Sequence, residues 1–223
     1  MDKLVKTNEL FECRTPYLTE LFSAYTYPWE MLPRLKEYIR TLTETGMEGF
    51  VLLKDGVLVG RNVKIYDTAV IEGPAVIGHG CEVRPSAFIR GAVITGEGCV
   101  LGNSSEFKNC ILLDGVQVPH YNYVGDSVLG NGAHMGAGTV CSNLKSDKRS
   151  IVIHGEKEYP TGLRKIGGIL GDGADVGCGA VINPGTVIGK NTRVYPLTML
   201  RGVYPADCIV KGTENVTARE ERA

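Results

Sequence analysis

Aliphatic residues fall on every sixth position from Val59 to Ile89 and again from Leu170 to Leu200, 29 of the 223 residues are glycine, and a helical texture ends at Phe50. These three observations predict a mainly β chain: a parallel β-helix of hexapeptide units preceded by a small helical segment. The units divide the chain into a helical segment at 1–50, a β-helix at 51–212 interrupted by a protruding loop at 143–168, and a tail at 213–223.

The helical segment comes first. In TPYLTELFSAY, Leu18, Leu21 and Phe22 stand at i, i+3 and i+4, and Thr15 before Pro16 reads as an N-cap. A second helix is expected from near Pro28, with Met31, Leu32, Leu35, Tyr38, Ile39 and Leu42 on one face and Gly46 as its stop. Each helix has a single apolar stripe and must dock on something.

The repeat follows. Val59, Ile65, Ile71, Ile77, Val83 and Ile89 recur at a spacing of six, and Leu170, Val176, Ile182, Ile188, Val194 and Leu200 repeat the register. Four residues after each stands a mostly small residue, such as Ala69, Ala75, Cys81 and Ala87, or Ala174 and Ala180. Between the two runs the register is looser: Leu101, Phe107, then Val118, Val124, then Leu129, Met135. Each unit is one short strand and a turn, with the aliphatic residue inward and the small residue at a crowded corner. A sandwich of alternating strands would not hold six such hits in a row, twice. The run closes with PADCIVKG, which reads as a cap, and NVTAREERA reads as a frayed tail.

Composition narrows the function classes. Lys and Arg number 24 against 25 Asp and Glu, so no global charge draws the chain to nucleic acid or an anionic membrane. No apolar run approaches the ~18 residues of a membrane span. The start, MDKLVKTNELFEC, has no apolar signal core, so a cytoplasmic protein is expected. The seven cysteines are odd in number and show no CxxC spacing, so they read as buried thiols rather than disulfides or a zinc site.

Two segments break the repeat. NLKSDKRSIVIHGEKEYPTGLRKIGG, at 143–168, carries Lys145, Lys148, Arg149, Lys157, Arg164 and Lys165 and is expected to project from the scaffold as a functional loop. Just before it, residues 102–147 gather His120, Tyr121, Asn122, Tyr123, Asp126, His134 and Asn143 where small aliphatic residues are due. One coil apart on a β-helix means stacked, so Lys108 is expected near His120 and Tyr123 near Asn143.

The motifs RPSAFIRG, GNSSEFK, PHYNYVGDS and GAGTVCSN, with the repeat after the loop, span about 58–205. They resemble the acetyltransferase half of the bifunctional enzymes that make N-acetylglucosamine 1-phosphate and then its UDP derivative. The resemblance implies a left-handed parallel β-helix, against the general right-handed preference of crossovers. It implies acetyl-CoA as co-substrate, an amino-sugar 1-phosphate as acceptor, and a homotrimer with the site shared between subunits. Carried over by position, the catalytic base falls on His120 and its partner on Tyr123. Arg84 and Lys108 fall on the phosphate and sugar contacts, and Asn143 on a contact to acceptor or donor. Lys148 and Arg149 stand where the family has a Lys, and His134 stands where it usually has Asn. Cys178 replaces a donor-contacting Ser; Pro196, Lys190 and Arg201 complete the expected donor side. The uridylyltransferase half is expected to be absent, since 1–50 is short and has no glycine-rich nucleotide loop.

The same chemistry follows from the residues. Acyl transfer from a thioester to an amine needs a base near neutral pKa, which His120 supplies, and a donor for the thioester oxygen. It needs cations for an anionic acceptor, Arg84 and Lys108, and no metal. Two other classes stand beside the enzyme. A zinc carbonic anhydrase on this fold needs three converging histidines, and His79, His120, His134 and His154 contain no close pair. A non-catalytic sugar-phosphate-binding or scaffold protein is compatible with His134, Arg149 and Cys178.

Overall fold

The computed structural model describes residues 4–212 and 214–219. From Val57 onward the chain winds as a three-faced parallel β-helix. The first face runs from Val57–Val59 through Ala75–Ile77 and Val93–Thr95 to Val203–Tyr204. The second runs from Lys64–Ile65 to Cys208–Gly212, and the third from Val70–Glu72 to Met199–Leu200. Ile71, Ile77, Val83, Ile89, Leu101, Phe107, Val118, Val124, Leu129, Met135, Leu170, Val176, Ile182, Ile188 and Leu200 are all buried along the axis. The period of six therefore reads out one inward residue per face. Cys81, Cys99, Cys110 and Cys208 fill small corner slots of this column as free, buried thiols.

The loosened register has a local cause. The corner between the third and first faces is made by two residues in the early coils, Gly73-Pro74 and Gly91-Ala92. In the next two coils it is made by one, Asn109 and then Asp126, in the left-handed region at φ 49° and 50°. Strands Glu106–Leu112 and Tyr123–Leu129 run straight through it. Their partners are consequently seventeen residues apart, Cys110 opposite Ser127, where the early coils pair Val57 with Ala75. Asn and Asp are the non-glycine residues that best tolerate this conformation.

The N-terminal segment lies on the first face. It contains α1 (Thr7–Leu10), α2 (Pro16–Ala24), a 3-10 turn at Pro28–Glu30 and α3 (Leu35–Thr45). Leu10, Leu18, Leu21, Trp29, Leu35 and Ile39 pack on the outward residues of that face, Leu58, Val76, Ile94, Ile111, Val128, Ile169, Val187 and Val203. The second helix begins at Leu35 rather than near Pro28, because Pro33 lacks the N–H a helix interior needs. Gly46 ends it at φ 74°. Thr15 stands at the N-cap of α2 but does not cap it with its side chain. Its hydroxyl donates to Asp114 Oδ1 at 2.8 Å and fastens the segment to the corner between the first and second faces.

Two expectations are corrected. The 143–168 loop does not stand free of the core. It folds into a hairpin, Val152–His154 against Glu158–Pro160, whose Ile151 and Ile153 are buried with Ile166 beside Val187 and Val203. Tyr159 meets Tyr27 edge-on at 5.6 Å. The loop is charged in composition, yet its IVI run supplies the apolar residues that finish covering the first face. Nor is the described part of the tail frayed: Asn215–Ala218 pairs antiparallel with Cys208–Gly212, and Val216 packs on the end of the column. Residues 213 and 220–223 lie outside the described residues.

Candidate active site

The one-residue corner at Asp126 builds a polar cluster. Lys108 precedes Asn109 at the same corner one coil earlier, and Asn143 arrives there one coil later, where the loop leaves the repeat. The Asp126 carboxylate has only 6% of its side-chain surface exposed. Lys108 Nζ lies 3.3 Å from each of its oxygens, and Asn109 Nδ2 donates to Oδ1 at 2.7 Å. Asn143 Nδ2 donates to Oδ2 and also to the Tyr123 hydroxyl at 3.1 Å. Both ends of the loop are tied here: Gly167 N–H donates to the Asp126 carbonyl at 2.7 Å, and Ile166 N–H to the Asn143 carbonyl at 3.1 Å.

Tyr123 lies back over Gly125, where a Cβ would overlap the phenol ring. That close approach explains the glycine of the YVGD run. Burial raises the Tyr123 phenol above its ordinary pKa; the negative charges of Asp126 and Glu106 push the same way, against the Asn143 hydrogen bond and Arg90. The phenol thus stays protonated and remains a donor. Glu106, paired opposite Tyr123, holds Arg90 at 2.7 Å.

His120 stands elsewhere. It ends strand Gln117–His120 on the second face, level with Asn103, at the corner leading to the third face. Tyr121 turns that corner at φ 53° and is exposed. Asn122 occupies the small buried slot beneath. Its Oδ1 accepts from His120 N–H at 3.0 Å and its Nδ2 donates to the Gly136 carbonyl at 2.8 Å, fixing the turn that presents the imidazole. The width of one face, three extended residues or ~10 Å, separates this corner from Lys108. The expected meeting of Lys108 with His120 is therefore corrected: Lys108 meets Asp126. Tyr123 and Asn143 do meet, but not by stacking: the strand ladder sets Tyr123 opposite Val140, and its phenol reaches Asn143 by lying back over Gly125.

The other sequence-derived residues fall on three edges. On the His120 edge lie Arg84, salt-bridged to Glu82 at 3.0 Å, and exposed Cys178, with Pro196 one coil further on. On the Asp126 edge lie Lys108, Asn143 and Arg201. Lys148 and Arg149 sit exposed in the loop, the Arg149 N–H on Asp147 Oδ1 at 3.0 Å. His134 faces outward from the second face with Nδ1 2.8 Å from Asp175. Lys190 lies on the remaining edge, 3.8 Å from Asp172, which also takes the Glu12 N–H at 2.8 Å. Lys190 is thereby set apart from the other expected donor contacts and belongs to the anchorage of the N-terminal segment. A groove of about 450 Å³ continues the Asp126 edge under the loop, lined among others by Ser142, Lys145, Ile151, Pro184, Met199 and Arg201. Asn109, Arg90 and Glu106 were missed in the sequence. The signal for Asn109 was there: Phe107 and Leu112 are five apart where the repeat demands six.

The family model described as the GMPPB C-terminal domain matches residues 71–157. The bifunctional protein GlmU of Methanococcus aeolicus is 30% identical over 122 residues, 55% of this chain and 30% of that protein. The chain resembles the acetyltransferase half of GlmU. A putative uncharacterized acetyltransferase of Escherichia coli, YaiX, is 34% identical over 150 residues, 67% of this chain and 65% of its own. The chain thus spans under a third of the first of these relatives and about two thirds of YaiX. The solved acetyltransferase domain of PglB from Neisseria gonorrhoeae, in complex with acetyl coenzyme A, aligns over 84% of this chain and 66% of its own at 15% identity and TM-score 0.38.

Proposed function

We propose that this chain is an acetyl-CoA-dependent N-acetyltransferase whose acceptor is an amino-sugar 1-phosphate, working as a homotrimer in the cytoplasm. The observation that carries the reading is the cluster of Lys108, Tyr123, Asp126 and Asn143, on the side of the third face opposite His120, in a GlmU-like β-helix. The acceptor ammonium first gives one proton to solvent; the free amine then attacks the thioester carbonyl, and His120 Nε2 takes the second proton from its nitrogen. The C–S bond breaks, and the departing thiolate takes up the proton held by the imidazolium. Tyr123, kept protonated by burial, donates a hydrogen bond to the acceptor. Lys108 and Arg84 receive the phosphate. The groove beyond Asn143 suits the donor: Lys145 and Arg201 face its phosphates, and Ile151 and Pro184 give its arm an apolar wall.

A threefold assembly unites the two edges. The first face is covered by the chain's own helices, whereas Val70, Val181 and Met199 on the third face are exposed, with Tyr121 and Leu197 on its edge. Turning the third face toward a threefold axis seals these residues and sets the His120 edge of one subunit against the Asp126 edge of the next. A cytoplasmic site of action accords with acetyl-CoA as donor. Among the described residues no helix is long and apolar enough to cross a membrane. The test is thiol release from acetyl-CoA over a panel of amino sugars with and without a 1-phosphate. Turnover of glucosamine 1-phosphate or an epimer is expected; binding of the sugar phosphates with no thiol release would favour the sensor or scaffold reading.

A further inference from the structure

We propose that Asp126 is the positioning residue of this site: it sets Lys108, Asn109 and Asn143 as one rigid cradle and locks that cradle to both ends of the 143–168 loop. Only the activity arm of its test rests on the function proposed above.

A carboxylate with 6% exposure is costly unless its charge is matched and its lone pairs are filled. Here they are filled. Lys108 spans both oxygens at 3.3 Å, Asn109 takes Oδ1 at 2.7 Å, and Asn143 takes Oδ2. No lone pair is left over for a substrate proton, so Asp126 acts through its neighbours rather than on the reacting atoms. The donors come from the coils on either side of Asp126: Lys108 and Asn109 from the one before, Asn143 from the one after. A repeat with two-residue corners would hold them apart. The single left-handed residue at 109 and again at 126 tightens the corner until all three reach one carboxylate. Loop and cradle are joined by the same residue. Its side chain holds Asn143 at the loop's start, and its carbonyl takes Gly167 N–H at the loop's end. Asn143 passes the order on to the Tyr123 hydroxyl at 3.1 Å. Lys108 is therefore a compensated cation whose head is fixed before any acceptor arrives, which lowers the ordering cost of binding.

The test replaces Asp126 by Asn, which keeps the volume and tolerates the left-handed corner but turns one acceptor into a donor. The first readout needs no substrate: brief acetic anhydride labelling with mass spectrometry, comparing Lys108 with Lys36, exposed on α3. In the wild type Lys108 is protected; in Asp126→Asn its labelling relative to Lys36 rises about tenfold. Asn109→Gly keeps the corner and removes a single donor, so it serves if the first variant misfolds; labelling there rises about threefold. Unchanged Lys108 labelling in the folded variants overturns the proposal, whether or not the wild type transfers acetyl groups. The second readout is a double-mutant cycle on turnover of the amino-sugar phosphate. Asp126→Asn alone lowers kcat/KM for the acceptor about 100-fold while KM for acetyl-CoA changes less than twofold. Added to Lys108→Met it costs less than threefold more. Fully additive losses would mean that Asp126 does not act through Lys108.

Discussion

Ile153→Ala tests whether the 143–168 segment is part of the folded core. Ile153 is fully buried, pairs across the hairpin with Tyr159, and lies close enough to Gly185 that a Cβ there would touch it. Truncation removes three carbons, about 2.4 kcal/mol of transfer free energy. The surroundings cannot collapse freely, because the first-face strands beneath are held in a sheet. A cavity term therefore adds to this, for a total of about 2–5 kcal/mol. The single tryptophan reports it directly: Trp29 is buried in the same cluster and stacked on Tyr27, 4.7 Å between ring centroids. Urea unfolding followed by Trp29 fluorescence should show a lowered midpoint with an unchanged slope. Glu156→Ala, at an exposed position of the same hairpin, should stay within about 0.5 kcal/mol of wild type. A loss at Ile153 no larger than that of the control would return the segment to a solvated excursion. By the same reasoning, deleting 146–164 should destabilise the whole chain rather than spare the repeat.

Further outcomes are expected. His120→Ala should lower kcat by ~10²–10⁴-fold with little change in acetyl-CoA binding, and Tyr123→Phe should cost less; near-wild-type turnover without His120 would move the base elsewhere. Multi-angle light scattering at micromolar concentration should give three times the chain mass of 24.1 kDa, and a stable monomer would defeat the shared site. Burial raises the thiols of Cys13 and Cys141 to about 11 from an ordinary 9.0. Unfolding therefore releases protons above pH 9, and the urea midpoint should hold steady below pH 9 and fall as pH rises toward 11. In the folded protein Cys178 should react with a thiol reagent at pH 8 well before the buried cysteines; simultaneous reaction of all seven would contradict the burial of the column.

The sequence by itself determined the scaffold. Val59 to Ile89 and Leu170 to Leu200 specify one inward residue per face, and that period is local: each hexad states its own strand, turn and inward side chain. The tie between Tyr123 and Asn143 was expected from stacking, but the ladder sets Tyr123 opposite Val140 and the contact comes from the phenol lying back over Gly125. Tertiary structure alone decided the rest. Whether Lys108 meets His120 or Asp126 depends on which prism edge each occupies, and that turns on one residue omitted from a corner, a change the hexad pattern registers only as a spacing of five. Whether IVI at 151–153 floats or packs depends on what the N-terminal helices leave uncovered on the first face. Thr15 could cap a helix or reach Asp114, and the choice belongs to a corner ninety-nine residues away. Periodicity determines which way a side chain points relative to its own strand. It carries no information about what waits on the other side, because that partner is brought there by the winding of the whole chain.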